Sequence, residues 1–200
     1  MGLIQIKLQA SETLSRGDIQ HEINVVESSA ERAAALIRKL FTLSDYIDCQ
    51  KGSVMLNVIV NMSADNIRPK LPQGINLRTC LANAPLPVMA NIGYLCQMIG
   101  NLFENAIESM PEGGTLEVLT SRQGQWAVLE RRDTGCGMVA ETIDKAFDPF
   151  FTTEEPESRL GIGLSIAKGI VEEHNGYINI DSTTNKGSII RVYLPLLRNE

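Results

Sequence analysis

Between Asp18 and about Ile47, the apolar residues Ile19, Ile23, Val26, Ala30, Ala33, Ile37 and Leu40 recur at alternating spacings of four and three. That is a heptad seam, the stripe by which helices pack side by side. One helix cannot bury such a stripe alone, so either the rest of the chain or a second copy must cover it. Upstream, Met1 to Arg16 is ambiguous: Leu3, Ile4, Ile6 and Leu8 alternate partly like a strand, while Ile4 and Leu8 also suit a helix. Arg16-Gly17-Asp18 reads as a turn, with Asp18 placed to cap the helix that follows. With so short a partner helix in the chain, a homodimeric four-helix bundle is expected, and residues 1–50 read as part of a helical hairpin.

After Gly52 the pattern changes. Ser53 to Val60 begins a mixed region, and Ile67 to Leu81, interrupted by Pro69, Pro72 and Gly74, reads as a loop and then a strand over 75–81. Pro85 and Pro87 punctuate the next turn. A helix is predicted over 92–110, stopped by Pro111-Glu112-Gly113-Gly114. Strands over 115–122 and 126–132 follow, joined at Gln123-Gly124-Gln125. A glycine-containing loop, an extended polar stretch and a helix over about 163–174 come next. The chain closes with a hairpin, 177–182 and 188–194, turned at Asn185-Lys186-Gly187. Strands on one side and helices on the other predict an α+β fold, a two-layer α/β sandwich over residues 53–200.

Four short elements in this part can carry chemistry. Asn101 and Asn105 lie four apart on one helix face. A side-chain carbonyl can join magnesium's octahedron without adding charge, although paired asparagines can also simply face solvent. Asp133-Thr134-Gly135-Cys136-Gly137 follows a strand directly. A carboxylate there can accept from an exocyclic amine such as adenine's, and the glycines admit a flat base; alone, the same pattern is an ordinary turn. Phe147-Asp148-Pro149-Phe150-Phe151-Thr152-Thr153 gathers aromatics around a proline, either as core or as the hinge of a lid. Gly161-Ile162-Gly163-Leu164-Ser165 opens a helix whose free N–H groups suit phosphate oxygens. It has neither the Rossmann nor the Walker spacing.

In this order, Asn101 to Ala106, Asp133 to Met138, Phe147 to Thr153 and Gly161 to Ile166 resemble the four sequence boxes of the histidine kinase ATPase family. That family belongs with the gyrase, Hsp90 and MutL ATPases and shares their Bergerat-type sandwich. The resemblance covers roughly Ser53 to Pro195, and Ser28 to Leu36 looks like the second helix of a kinase dimerisation domain. It implies ATP and Mg²⁺ as cofactors. Asp133 would bind the adenine amine, and Gly135 and Gly137 would shape the base pocket. Asn105 would hold Mg²⁺ with Asn101 assisting. Residues 152–160 would be the lid, Phe150, Thr152 and Thr153 at its hinge would count among the nucleotide-binding residues, and Gly161, Gly163 and Leu164 would form the lid's far end and the phosphate cradle.

One position separates kinase from hydrolase. The gyrase-like hydrolases carry a glutamate one turn before the metal-binding asparagine, as general base for water; here that place is Asn101, which cannot take a proton at neutral pH. A site without that base suits holding ATP for a separate nucleophile. The nucleophile would be a histidine, and the chain has only two. His174 ends a helix and reads as structural helix-end chemistry. His21-Glu22-Ile23-Asn24 superficially resembles a phosphoacceptor box, but it opens what resembles the second dimerisation helix. His21 is therefore a weak acceptor candidate, and the acceptor is expected outside these residues. The implied partners are a second copy through the N-terminal helices and the receiver domain of a response regulator.

Two departures qualify the resemblance. Family lids commonly carry a lysine and a further glycine where this chain has Glu154 and Arg159, and Glu154, Glu155 and Glu157 would repel a triphosphate. An anti-sigma-type serine kinase is one alternative, disfavoured by the seam. A pseudokinase scaffold with an idle nucleotide site is another, motivated by the acidic lid.

The net charge of −6 gives no reason to expect nucleic acid or an anionic membrane as partner. No apolar stretch is long enough to span a bilayer, and the first ten residues do not read as a signal peptide. The four cysteines form no metal-binding spacing and read as small buried hydrophobes in a reducing cytoplasm.

Overall fold

The computed structural model describes residues 50–152 and 161–197. The seam from Ile19 to Leu40, His21, Thr153 and the acidic residues Glu154, Glu155 and Glu157 lie outside them. The chain divides into two units, and everything described belongs to the second, Asp48–Glu200.

In chain order the elements are β1 (Gly52–Met55), α1 (Leu56–Ile67), β2 (Ile75–Cys80), β3 (Pro87–Ala90) and α2 (Ile92–Glu108). Then come β4 (Gly114–Gln123), β5 (Trp126–Asp133), α3 (Ala140–Lys145), α4 (Gly163–Glu173), β6 (Tyr177–Thr183) and β7 (Gly187–Pro195). Five strands form one sheet in the order β2-β4-β5-β7-β6, with β2 parallel to β4 and the other pairs antiparallel. The result is the expected two-layer arrangement, because each strand buries one face and each long helix one stripe.

Helix α2 is capped by Asn91, whose side chain accepts from the Tyr94 N–H at 3.1 Å. It buries Leu95, Met98, Leu102, Phe103 and Ala106 at helical spacing. Each large apolar side chain there contributes about 1.5–3 kcal/mol on burial. Helix α4 buries Leu164, Ala167, Ile170 and Val171 on one stripe. In the sheet, Leu116, Val118, Ala127, Leu129, Ile190, Val192 and Leu194 form the buried face. The opposite face carries ion pairs joining Glu117, Arg132, Glu130, Arg191 and Asp181 across four strands, and a cluster of Trp126, Tyr177 and Tyr193. Such half-exposed pairs stabilise little individually; their larger effect is to keep an open sheet face polar.

Four features differ from the sequence reading. Helix α1, unread before, has no capping side chain at Met55 and is rich in Val and Asn, so it lacks a start signal. Its buried residues Leu56, Ile59, Val60 and Ala64 show that tertiary contact holds it. Pro87 was expected to punctuate a turn but opens β3, which pairs with β1 as a small antiparallel sheet. The polar stretch before the aromatic hinge contains α3, a single short helix. The cysteine expectation also fails: Cys80, near the end of edge strand β2, and Cys136, in a loop, are exposed, and Cys96 is half-buried. All three are free thiols.

Candidate functional site

Strand β5 carries the site at its C-terminal end. Side chains alternate across a strand, so Ala127, Leu129, Arg131 and Asp133 share the inward face. Cross-strand register places Val118 and Ile190 on either side of Arg131, and Leu116 and Ser188 on either side of Asp133. Arg131 is fully buried, at 0% exposure. A guanidinium in apolar surroundings is costly unless it is paired, and two acceptors meet it. Its Nη1 donates to Asp133 Oδ2, forming an ion pair, and its Nη2 donates to Asn105 Oδ1 at 2.6 Å. Burial pushes the Arg131 pKa down to about 10, against the pull of Asp133, so the group stays charged at neutral pH.

Thus the carboxylate expected to read a purine and the amide expected to hold a metal lie on one site, joined by one side chain. Arg131 itself was missed. It sits in the polar run Glu130-Arg131-Arg132-Asp133, which reads as a strand reaching solvent. Counting by twos from Ala127 and Leu129 would have placed it inward beside Asp133.

Asp133 is anchored further. Its Oδ1 accepts backbone N–H groups from Gly135 at 2.9 Å and Ser188 at 3.2 Å. The glycines after it are required by the chain's own packing. A Cβ at Gly135 would lie 2.4 Å from the Ser109 carbonyl oxygen, at the end of α2. Gly137 has φ +65° and would place a Cβ 2.1 Å from the Thr183 carbonyl oxygen. The loop is therefore wedged between α2 and the β6–β7 turn, and Cys136 binds both sides: its N–H donates to Ser109 O at 2.9 Å and its carbonyl accepts from Asn185 N–H at 2.6 Å.

Asn101 faces α4, where a Cβ built on Gly163 would lie 3.9 Å from Asn101 Oδ1. Asn101 is 7% exposed, and among the described residues its Nδ2 has no hydrogen-bond partner. A buried donor without an acceptor is costly, so the position suits an arriving anionic or carbonyl oxygen. Leu164 buries its side chain in the core, leaving its backbone as the part available to a ligand.

The two ends of the expected lid meet. Phe150 donates its N–H to the Gly161 carbonyl at 3.0 Å. Gly161 has φ +60°, and a Cβ there would lie 2.3 Å from the Phe151 carbonyl oxygen. Phe150 has positive φ and is 67% exposed, so it is not core. Lys168 on α4 stands 5.5 Å above the Phe147 ring, a cation–π contact that ties α4 to the hinge.

His174 is structural, as expected, but not as a helix-end cation. The Asn91 N–H donates to its Nε2 at 3.2 Å, so Nε2 is the acceptor and the proton sits on Nδ1, which faces Ile170 O at 2.7 Å. Burial lowers its pKa below 6.5, with Lys51 adding to the shift and the Ile170 carbonyl and Glu173 opposing it. The folded value lies below the unfolded one. This contribution to stability is therefore complete above about pH 6.5 and is lost as pH falls toward the folded value. Thermal melts at about pH 7.5 and about pH 5.5 should show a larger fall for the unmodified chain than for His174→Gln. Equal falls would mean that His174 does not titrate against folding.

Comparison with known proteins agrees with the fold. The family described as histidine kinase-, DNA gyrase B- and HSP90-like ATPase matches residues 90–198. Sensor kinase CckA of Brucella abortus is 31% identical over 204 aligned positions, covering 90% of this chain and 20% of that protein. Sensor histidine kinase ZraS of Escherichia coli K12 is 30% identical, covering 90% of this chain and 38% of that protein. The chain thus spans well under half the length of these relatives. Among solved structures, the nucleotide-free catalytic domain of histidine kinase ThkA superposes with a TM-score of 0.66 at 26% identity, over 74% of this chain and 96% of that one. Full-length ShkA, solved with AMPPNP, shares the fold with a TM-score of 0.73 at 17% identity, over 94% of this chain and 41% of that one.

Proposed function

The chain belongs to the histidine kinase-, DNA gyrase B- and HSP90-like ATPase family, and from that premise we propose that it is the ATP-binding catalytic module of a sensor histidine kinase. Its relatives include sensor histidine kinase ZraS, sensor kinase CckA and sporulation kinase A. The observation that carries the reading is the convergence of Asp133 and Asn105 on one site, beside a buried Asn101 amide that lacks a partner.

In this reading Asp133 accepts from the exocyclic amine of adenine, and the Gly135–Gly137 loop holds it in place. The Asn101 amide and the backbone at Gly161, Gly163 and Leu164 face the phosphates. Phe150, Thr152 and Thr153 are counted with the nucleotide-binding residues, Thr153 lying outside the described residues. The reaction forms a bond between an imidazole nitrogen and the γ-phosphorus while the bond to the β,γ-bridging oxygen breaks. ADP leaves with that electron pair, and the imidazole proton passes to solvent. Little covalent chemistry falls to the protein, so positioning and charge dominate. Asn101 in place of a carboxylate leaves water without a base, which favours transfer to histidine over hydrolysis.

Magnesium is the usual companion of such a triphosphate. Asn105 would be its protein ligand, but here that oxygen accepts from a guanidinium. As arranged, the position does not fit a divalent ion. The same contact favours a second reading, a scaffold whose nucleotide site is idle. We place the acceptor on a histidine other than His21 and His174, with dimerisation through the N-terminal segment and a response regulator as final recipient. No helix among the described residues is long and apolar enough to cross a membrane.

Labelled ATP supplied with this chain and a separately made phosphoacceptor hairpin tests the proposal. Label is expected on the hairpin histidine. Label on His21 would overturn the placement of the acceptor, and no transfer together with no nucleotide binding would leave the scaffold.

A further inference from the structure

Nothing in the proposed chemistry uses Arg131, yet it touches both side chains on which nucleotide binding depends. We propose that Arg131 sets the nucleotide affinity of this site: its guanidinium competes with the adenine amine for Asp133 and keeps a divalent cation off the Asn105 oxygen. The inference rests on the nucleotide-binding reading above.

The geometry leaves Arg131 few alternatives. It stands between Val118 and Ile190 in the sheet register and has 0% exposure. Asp133 and Asn105 accept from its two terminal nitrogens, and among the described residues its Nε has no partner. A buried cation already short of acceptors holds those it has, because releasing one leaves charge uncompensated. Asp133 is equally committed: Oδ1 takes two backbone N–H groups, and Oδ2 takes Nη1. An arriving amine must therefore share a carboxylate whose charge is already paired, or displace the guanidinium. The strength of a charge-assisted hydrogen bond comes from the acceptor's free charge, which Arg131 has largely taken.

At Asn105 the conflict is one of sign. A divalent ion bound to Oδ1 would sit beside a fixed positive charge across a half-buried contact, where screening is weaker than in bulk water. The planar fork of arginine is what lets one cation occupy both acceptors; a lysine, as a single point charge, cannot span them in the same way. Arg131 thus holds the site in a self-satisfied, nucleotide-free arrangement. The N–H groups of its fork stand in for the amine and the metal together.

The test is calorimetric titration of the whole chain with AMP-PNP, with and without Mg²⁺, for the unmodified protein, Arg131→Met and Arg131→Lys. Circular dichroism melts show which variants are folded. Arg131→Met should bind AMP-PNP at least roughly tenfold tighter in Mg²⁺, and its affinity should depend on Mg²⁺ more strongly than that of the unmodified chain. Arg131→Lys should also gain Mg²⁺ dependence, since Asn105 is released. The unmodified chain gives a reading independent of any variant: Mg²⁺ should change its affinity by less than about threefold. A gain of tenfold or more with Mg²⁺ in the unmodified chain overturns the inference, as does folded Arg131→Met binding no tighter than the unmodified chain. In both cases the nucleotide-binding reading survives. If neither the unmodified chain nor folded Arg131→Met binds AMP-PNP at millimolar concentration, the nucleotide site itself is refuted and this inference falls with it.

Discussion

Asp133→Asn is expected to abolish measurable AMP-PNP binding and to lower the melting temperature by several degrees. The present carboxylate is an acceptor at both oxygens. Oδ1 receives the N–H groups of Gly135 and Ser188, and Oδ2 receives Arg131. Asparagine must turn an NH₂ toward one of those donor sets, whichever way the amide lies. One orientation breaks the loop's two backbone hydrogen bonds, and the other opposes the guanidinium. A buried donor left without its acceptor costs about 1–3 kcal/mol, and a buried charge stripped of its partner costs about 3–5 kcal/mol. In a domain of this size each kilocalorie lowers the melting temperature by about 2–4 °C. Nucleotide binding also loses the carboxylate that this reading assigns to the exocyclic amine. Titration should be run well below the lowered melting point, so that lost binding is not mistaken for unfolding. Affinity within about threefold of the unmodified chain would remove Asp133 from the base contact.

Gly137→Ala carries the second large effect. At φ +65° an alanine pays the left-handed backbone cost, about 1–2 kcal/mol. The new Cβ would also lie 2.1 Å from the Thr183 carbonyl oxygen, a backbone atom that cannot swing aside. Relief requires moving the loop off the end of β6. That strains the Asn185 N–H bond to Cys136 O and the Met138 N–H bond to Ser182 Oγ, at 2.6 and 2.8 Å. A total loss of about 3 kcal/mol or more is expected. Gly124→Ala is the internal control: its φ is +59°, but nothing lies within 4 Å of the added carbon. Only the backbone cost should appear there, about 1–2 kcal/mol. Equal melting temperatures for the two variants would show that the loop is not wedged as described.

The legibility of this chain from sequence divides along the range of the interactions. Helix α2 announced itself by its apolar stripe, and the spacing of Asn101 and Asn105 put them on one face because helical geometry is local. The strands β4, β5, β6 and β7 carried alternation and clear turns, and all four appeared within a residue or two of the expected bounds. Helix α1 did not, because its helicity comes from burial of Leu56, Ile59, Val60 and Ala64 and from no local start signal. Strands β1 and β3 are four residues each, too short for a pattern, and exist only because they pair. Cys80 and Cys136 show the converse error: their residue type suggested burial, whereas their positions near the end of an edge strand and in a loop left them exposed.

At the site the same division holds. The order of the four boxes, the carboxylate at the end of β5 and the glycine pair at the start of α4 are properties of the chain read in line. They identified the family before any coordinate was needed. Which side chain each of them meets is not such a property. Arg131 is charged, so composition assigns it to solvent; the register of β5 between β4 and β7, with α2 supplying Asn105 above it, instead fixes it inward. Sequence determined which groups this protein can offer a purine and its phosphates in the proposed reading. Tertiary structure alone decided that a buried cation holds two of them first, because burial and pairing are set by elements far apart in the chain.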